Sequence, residues 1–178
     1  MAPPTTRERL LDAAREVVAR DGLEGLTLRA IARHAGVSHG APLRHFASLS
    51  SLLAALSARG FEQLVAAVDD AVEAHGKRRP RQDARSRLAR AGVGYVRFAL
   101  DQPGVFSVMF RRELVDTADP AYVTAGSASF DQLVGLVAAA QAEGWQRGVP
   151  SERVAAVMWA KVHGLAELWL HGSLQGVV

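Results

Sequence analysis

The last apolar segment carries His163, Glu167 and His171 at intervals of four, a spacing that can bring metal ligands onto one face of a helix. That face drifts by about 40° with each step of four residues. The outer pair diverges, and a core histidine is the plainer reading, so no metal site is expected. Other catalytic patterns are missing: no Gly-x-Ser-x-Gly elbow, no His-Glu-x-x-His, no phosphate-binding glycine loop. With no cysteine in the chain, disulfides, thiolate zinc sites and cysteine nucleophiles are excluded. The sequence reads as a non-enzyme without a cofactor. The run that does carry chemistry is residues 27–46, Thr-Leu-Arg-Ala-Ile-Ala-Arg-His-Ala-Gly-Val-Ser-His-Gly-Ala-Pro-Leu-Arg-His-Phe.

Two short helices around a tight glycine turn fit a helix-turn-helix that reads DNA. Leu28 and Ile31 face inward, and Ala32 is small enough to let the helices cross closely. Gly36 takes positive φ without a Cβ clash. Val37 buries itself at the corner, Ser38 is expected to cap the third helix, and Phe46 anchors its far end. The surface left over is Ser38, His39, Gly40, Ala41, Leu43, Arg44 and His45, with small residues at 40 and 41 that let the helix sit deep in a major groove. Thr27, Leu28, Arg29 and Arg33 complete the expected interface, Thr27 and the free N–H groups after it holding a phosphate. Pro42 predicts a short or distorted first turn in the third helix.

These residues resemble the DNA-binding domain of TetR-family transcriptional regulators. Thr27, Ile31, Ala32, Ala35, Gly36, Val37, Ser38, Gly40, His45 and Phe46 fall in register with that family's pattern. The resemblance covers about residues 5–65 and implies a DNA operator as partner. Two positions depart from it. Leu43 stands where the family has tyrosine, and Leu49 where it has lysine. Both family residues contact phosphates, so the departures imply weaker binding. Losing the lysine alone removes roughly 0.9 units of salt-dependence slope.

The elements that must position this surface read as all-α: apolar residues recur at helical spacing almost throughout. Thr5 and Glu8 fit a capping box ahead of a stripe of Leu10, Leu11, Ala14, Val17 and Val18, which Asp21-Gly22 ends. Helices are expected at about 28–35, 38–46, 48–75 (interrupted only by Gly60), 83–100, 122–145 and 151–171, with a short helix or turn at Phe106 to Phe110. The best domain boundary is the Arg-rich link at 76–82. It separates a helix-turn-helix domain, 5–65, from a helical effector-binding and dimerisation domain, 66–178.

Charge is uneven. The net +3 hides eight basic residues against Asp83 alone in 77–97, and the sequence pI of about 9.9 allows a polyanionic partner. The longest apolar run, Leu133 to Ala140, is far short of the roughly 18–20 residues that span a bilayer. No signal peptide is apparent, and a cytoplasmic protein without a membrane partner is expected.

The second domain carries two broad apolar stripes expected to build a homodimeric four-helix interface: Phe130, Leu133 and Val137, then Val157, Leu165, Leu168 and Trp169. Its aromatic set, Tyr95, Phe98, Phe106, Met109, Phe110, Trp159 and His163, resembles the tryptophan–histidine–glycine type of C-terminal domain of some TetR-like regulators. That resemblance implies a pocket for a small apolar effector with Tyr95 and His163 as polar handles. The alternative is that these residues are only core. The reading is a sequence-specific transcriptional regulator, by resemblance a repressor, whose effector acts through the fourth helix and the link. Its rivals are a small-molecule sensor or carrier with weakened DNA binding and a non-specific DNA-binding protein.

Overall fold

Thr5 opens the first helix as the sequence predicts. Its side chain accepts from the Glu8 N–H at 3.2 Å while Glu8 Oε2 takes the Thr5 N–H at 2.6 Å. That closed box starts α1, Thr6–Asp21, and Gly22 ends it with φ 71°. The computed structural model describes residues 3–76 and 83–174. Among them are eight α-helices, one short 3-10 turn (Leu23–Gly25) and no strand. After α1 come α2 (Leu28–His34), α3 (Ala41–His45), α4 (Leu49–Gly76), α5 (Ala84–Asp101), α6 (Pro103–Phe110), α7 (Pro120–Ala142) and α8 (Ser151–Leu170). The fold is all-α, with an N-terminal helix-turn-helix and a helical C-terminal part.

Caps explain most boundaries. Thr27 accepts from Ala30 N–H at the start of α2, Ser48 from Ser51 N–H at the start of α4, and Asp83 from Ser86 N–H before α5. Asp119 takes the N–H groups of Ala121 and Tyr122 as α7 begins. Pro103 and Pro120 sit in the first turns of α6 and α7, where a missing N–H costs nothing. α4 runs unbroken through Gly60, whose bare Cα leaves room for Val105 and Met109, so the interruption expected there does not occur.

The chain forms two compact units, residues 1–61 with 102–126, and residues 62–101 with 127–178. The first packs α1 to α3 and α6 around Leu10, Val17, Ile31, Leu52, Leu56, Phe106 and Met109, all nearly free of solvent. Burying each such side chain is worth about 1.5–3 kcal/mol. The second gathers Ala84, Leu88, Val137, Ala140 and Ala155 into a core, with Phe130, Leu133, Trp145 and Met158 packed against it. Division thus falls within α4. The Arg-rich link read as the boundary lies, apart from Gly76, outside the described residues.

Among the described residues two helices, α4 and α7, are long and apolar enough by composition to cross a membrane, each with an 18-residue window of mean hydropathy 1.2. Of these windows 61% is buried in α4, an ordinary core helix, but only 17% in α7.

At Gly94 of α5 an added Cβ would lie 2.8 Å from the Ala67 carbonyl oxygen and 2.9 Å from the Ala71 Cβ. Gly94→Ala forces these backbones apart, at a cost of about 1–3 kcal/mol. That outweighs the roughly 1 kcal/mol alanine gains in helix propensity. Urea denaturation is expected to show a lower midpoint, and an unchanged or higher one contradicts the close approach.

Candidate nucleic-acid interface

The turn between α2 and α3 is built by backbone hydrogen bonds. Gly36 N–H donates to Arg33 O at 3.2 Å and Val37 N–H to Ala32 O at 3.0 Å. These close the end of α2 around Gly36, whose φ of 64° suits a residue without a Cβ. Arg9 of α1 adds a tie the sequence did not reveal, its guanidinium donating to the Ala35 carbonyl at 2.6 Å. Arg7 lies over the Phe46 ring, 5.1 Å from its centroid, at the other end of α3.

α3 is shorter than expected. Ser38 does not cap it; the Ser38 carbonyl instead accepts from Ala41 N–H, and Gly40 occupies the N-cap position without a side-chain bond. The cause is Pro42, which disfavours helical geometry before it and sits naturally in a first turn. Ala41 and Pro42 both face inward, so Ala41, expected on the outer surface, belongs to the packing side.

The remaining expected residues split by exposure. Thr27, Arg29, Arg33, Ser38, His39, Gly40, Leu43, Arg44 and His45 are exposed to differing degrees, while Leu28 is half-buried. Leu43 is 60% exposed, the highest value among the exposed large apolar side chains of the described residues. Arg29 and Arg44 make no ion pair or hydrogen bond among the described residues. The outer face of α2 and α3 is thus a cationic, hydrogen-bonding surface with one apolar tip, the chemistry a groove of base edges and thymine methyls accepts. Leu49, at the start of α4, is half-buried.

The aromatic set does not form one cluster. Phe106, Met109 and Phe110 belong to the first unit, where Phe110 packs edge-on against Phe61 and Phe106 at 5.6 and 5.1 Å. Tyr95, Phe98, Trp159 and His163 belong to the second. There the Tyr95 hydroxyl shares a hydrogen bond with His163 Nδ1 at 2.8 Å and accepts from Trp159 Nε1 at 3.3 Å. A neutral His163 completes this relay as acceptor or as donor, according to its tautomer. Burial favours that form, depressing the His163 pKa against a smaller upward pull from Glu167, and it pushes the Tyr95 phenol well above its ordinary range. Glu167 Oε atoms lie 3.9 Å from His163 Nε2 and 3.4 Å from His171 Nδ1. Among the described residues no three potential ligands gather to hold a metal.

The expected dimer residues also divide. Val137 is fully buried and so serves the core of its own unit, while Phe130 and Leu133 pack against that core and stay partly exposed. Val157, Leu165, Leu168 and Trp169 of α8 are 47–52% exposed.

Comparison with known proteins agrees with this architecture. Residues 10–56 match the family of bacterial regulatory proteins named tetR, and residues 88–178 match the tetracyclin repressor-like C-terminal domain. A protein of unknown function from Rhodococcus sp. RHA1 is 38% identical, with TM-score 0.83 over 98% of this chain and 87% of that one. A transcriptional regulator from Rhodococcus sp. Rha1 is 26% identical, with TM-score 0.66 over 94% and 84%. The TetR-family regulator PfmR from Thermus thermophilus shares the fold at 19% identity, TM-score 0.68, over 89% and 85%. No curated protein matches the sequence. The helix-turn-helix, the helical C-terminal part and both family matches place the chain in the TetR family of bacterial transcriptional regulators.

Proposed function

We propose that the protein is a homodimeric repressor that binds a roughly palindromic operator and releases it when a small, largely apolar effector occupies the C-terminal unit. The observation that carries the DNA-binding half is the exposed face of α3, where Leu43, Arg44 and His45 stand clear of the packing side formed by Ala41 and Pro42. Arg44 suits a guanine or a phosphate, and Leu43 suits a thymine methyl. Thr27, Arg29 and Arg33 on α2 suit backbone phosphates. Repression is supported only by the family description.

A single such surface contacts too little DNA for tight specific binding, and dimers solve this by presenting two recognition helices one turn of DNA apart. The helices of the second unit offer a face for it. Along α7, Ala128, Asp131, Gly135 and Ala138 are exposed at intervals of three and four. Along α8, Val157, Gly164 and Leu168 share one face, with Val157 52% and Leu168 49% exposed. Small residues on one helix and large apolar ones on the other suit the close helix packing of a symmetric four-helix interface. An effector must bind the DNA-releasing conformer better than the DNA-binding one.

Selection from random duplexes is expected to enrich a two-fold symmetric site with half-sites about 34–36 Å apart. Enrichment of nothing marks a non-specific binder or a sensor without DNA function. Arg44→Ala is expected to weaken the selected site about tenfold or more, in line with about 1–3 kcal/mol for a base contact. Unchanged affinity in a gel-shift titration removes Arg44 from the interface.

Leu168→Asp places a charge on the α8 face and is expected to yield monomers by light scattering while helix content is retained. A persisting dimer excludes that face.

The relay gives a pH dependence. Unfolded, His163 titrates near 6.5, and folded it titrates lower. Its contribution to stability is therefore complete above pH 6.5 and is lost as pH falls below that value through the folded pKa. His163→Gln keeps an acceptor for Tyr95 but cannot be protonated. Thermal unfolding between about pH 8 and pH 5 is expected to show the parent losing Tm on acidification faster than this variant. Parallel curves contradict the neutral-histidine assignment.

A further inference from the structure

An open cleft of about 580 Å³ lies between α5 and α8 of the second unit, apart from the Tyr95 relay. That volume falls within the roughly 300–1,000 Å³ of small-molecule sites. Val93 and Val96 of α5, Met158, Val162 and Leu165 of α8, and Trp145 form its apolar walls. Arg97 and Lys161 are the charged residues that line it, and neither makes an ion pair or hydrogen bond among the described residues.

The two helices run in the same direction along the cleft. Leu88 shares a core with Ala155, Gly92 faces Val162, and Tyr95 bonds His163, so positions advance together. Trp145 packs against the core that contains Ala84 and Leu88, at the start of α5. Arg97 stands at the other end, roughly 12 Å of helix rise beyond the cleft-lining Ala89. The cleft is thus apolar at the Trp145 end, and its two cations run from the middle, where Lys161 adjoins the Val162 that faces Gly92, to Arg97 at the far end.

We propose that this cleft binds an amphiphilic organic anion: a carboxylate on an apolar chain or skeleton, its tail along Ala89, Met158 and Trp145 and its head between Arg97 and Lys161. The guanidinium offers a planar fork matched to a carboxylate and Lys161 a second point charge. A purely apolar occupant leaves both cations without a counter-charge, and a hydrophilic anion leaves the walls wet. The proposal rests on the effector-binding reading above and names the class of molecule and the place it occupies.

The test titrates the full-length protein with decanoate and, separately, with 1-decanol, followed by calorimetry and tryptophan fluorescence. Decanoate is expected to bind saturably, one per chain, and more tightly than decanol. The double variant Arg97→Gln/Lys161→Gln is expected to weaken decanoate about tenfold or more, the range for a hydrogen bond to a charged group, and to leave decanol unchanged. Gly92→Phe is expected to block both, because a Cβ at Gly92 meets only Val162, at 4.0 Å, and the ring projects into the cleft. No saturable binding, equal affinity for decanoate and decanol, or decanoate affinity unmoved by either variant overturns the proposal. So does loss of the dimer in Gly92→Phe with decanoate binding intact, which assigns the cleft to a second copy of the chain. Operator affinity measured in parallel separates the two readings. Decanoate bound in the cleft without effect on operator binding supports the site and removes its effector role. Release of operator by decanoate that survives Gly92→Phe overturns the site and leaves the regulator reading standing.

Discussion

A five-residue helix cannot hold itself. Isolated helices below about 12–15 residues are marginal in water, and α3 spans only Ala41–His45. Everything the outer surface does depends on contacts that fix this element from behind. Ala41 and Pro42 are buried, Phe46 closes its end with 6% exposure, and Ile31 and Ala32 of α2 are fully buried. The turn between the two helices is pinned through the Ala35 carbonyl by Arg9. Such over-determination lets a short segment present side chains at a fixed angle although its own helix is too short to persist alone.

The second unit follows another rule. One of its cores sets the small residues Ala84, Ala140 and Ala155 around Leu88 and Val137, with Phe130, Leu133, Trp145 and Met158 packed against them. The polar groups it buries must satisfy one another, and Trp159, Tyr95 and His163 do so in a line of donors and acceptors. The polar handles expected for an effector are therefore engaged with each other. The two cations lining the α5–α8 cleft, by contrast, have no partner among the described residues.

Much of this was legible in the sequence because it is encoded locally. The capping box at Thr5, the cap at Thr27, the positive φ at Gly36 and the helical periods need only neighbours in the chain. What was not legible depends on partners far away in sequence. Nothing near Arg9 announces that its guanidinium will meet the Ala35 carbonyl. Helical spacing groups Phe106, Met109 and Phe110 with Tyr95 and Trp159, since periodicity marks an inward face but not which core receives it. Val137 reads as a dimer residue for the same reason: an apolar stripe wider than one interface does not reveal which edge faces its own unit. α3 starts three residues beyond Ser38 although Pro42 carried the signal, because the ring constrains the backbone more strongly than a serine cap can.

Pro42 also settles which groups α3 can offer a ligand. The first turn of a helix ordinarily exposes several N–H groups to an anion. Here the Ala41 N–H is already bonded to the Ser38 carbonyl, and position 42 has none to give. The first two positions of α3 therefore offer an outside partner no N–H, and what its outer face presents there is side chains. An exchange at Leu43, Arg44 or His45 changes that outer chemistry while the buried Ala41 and Pro42 beneath stay as they are.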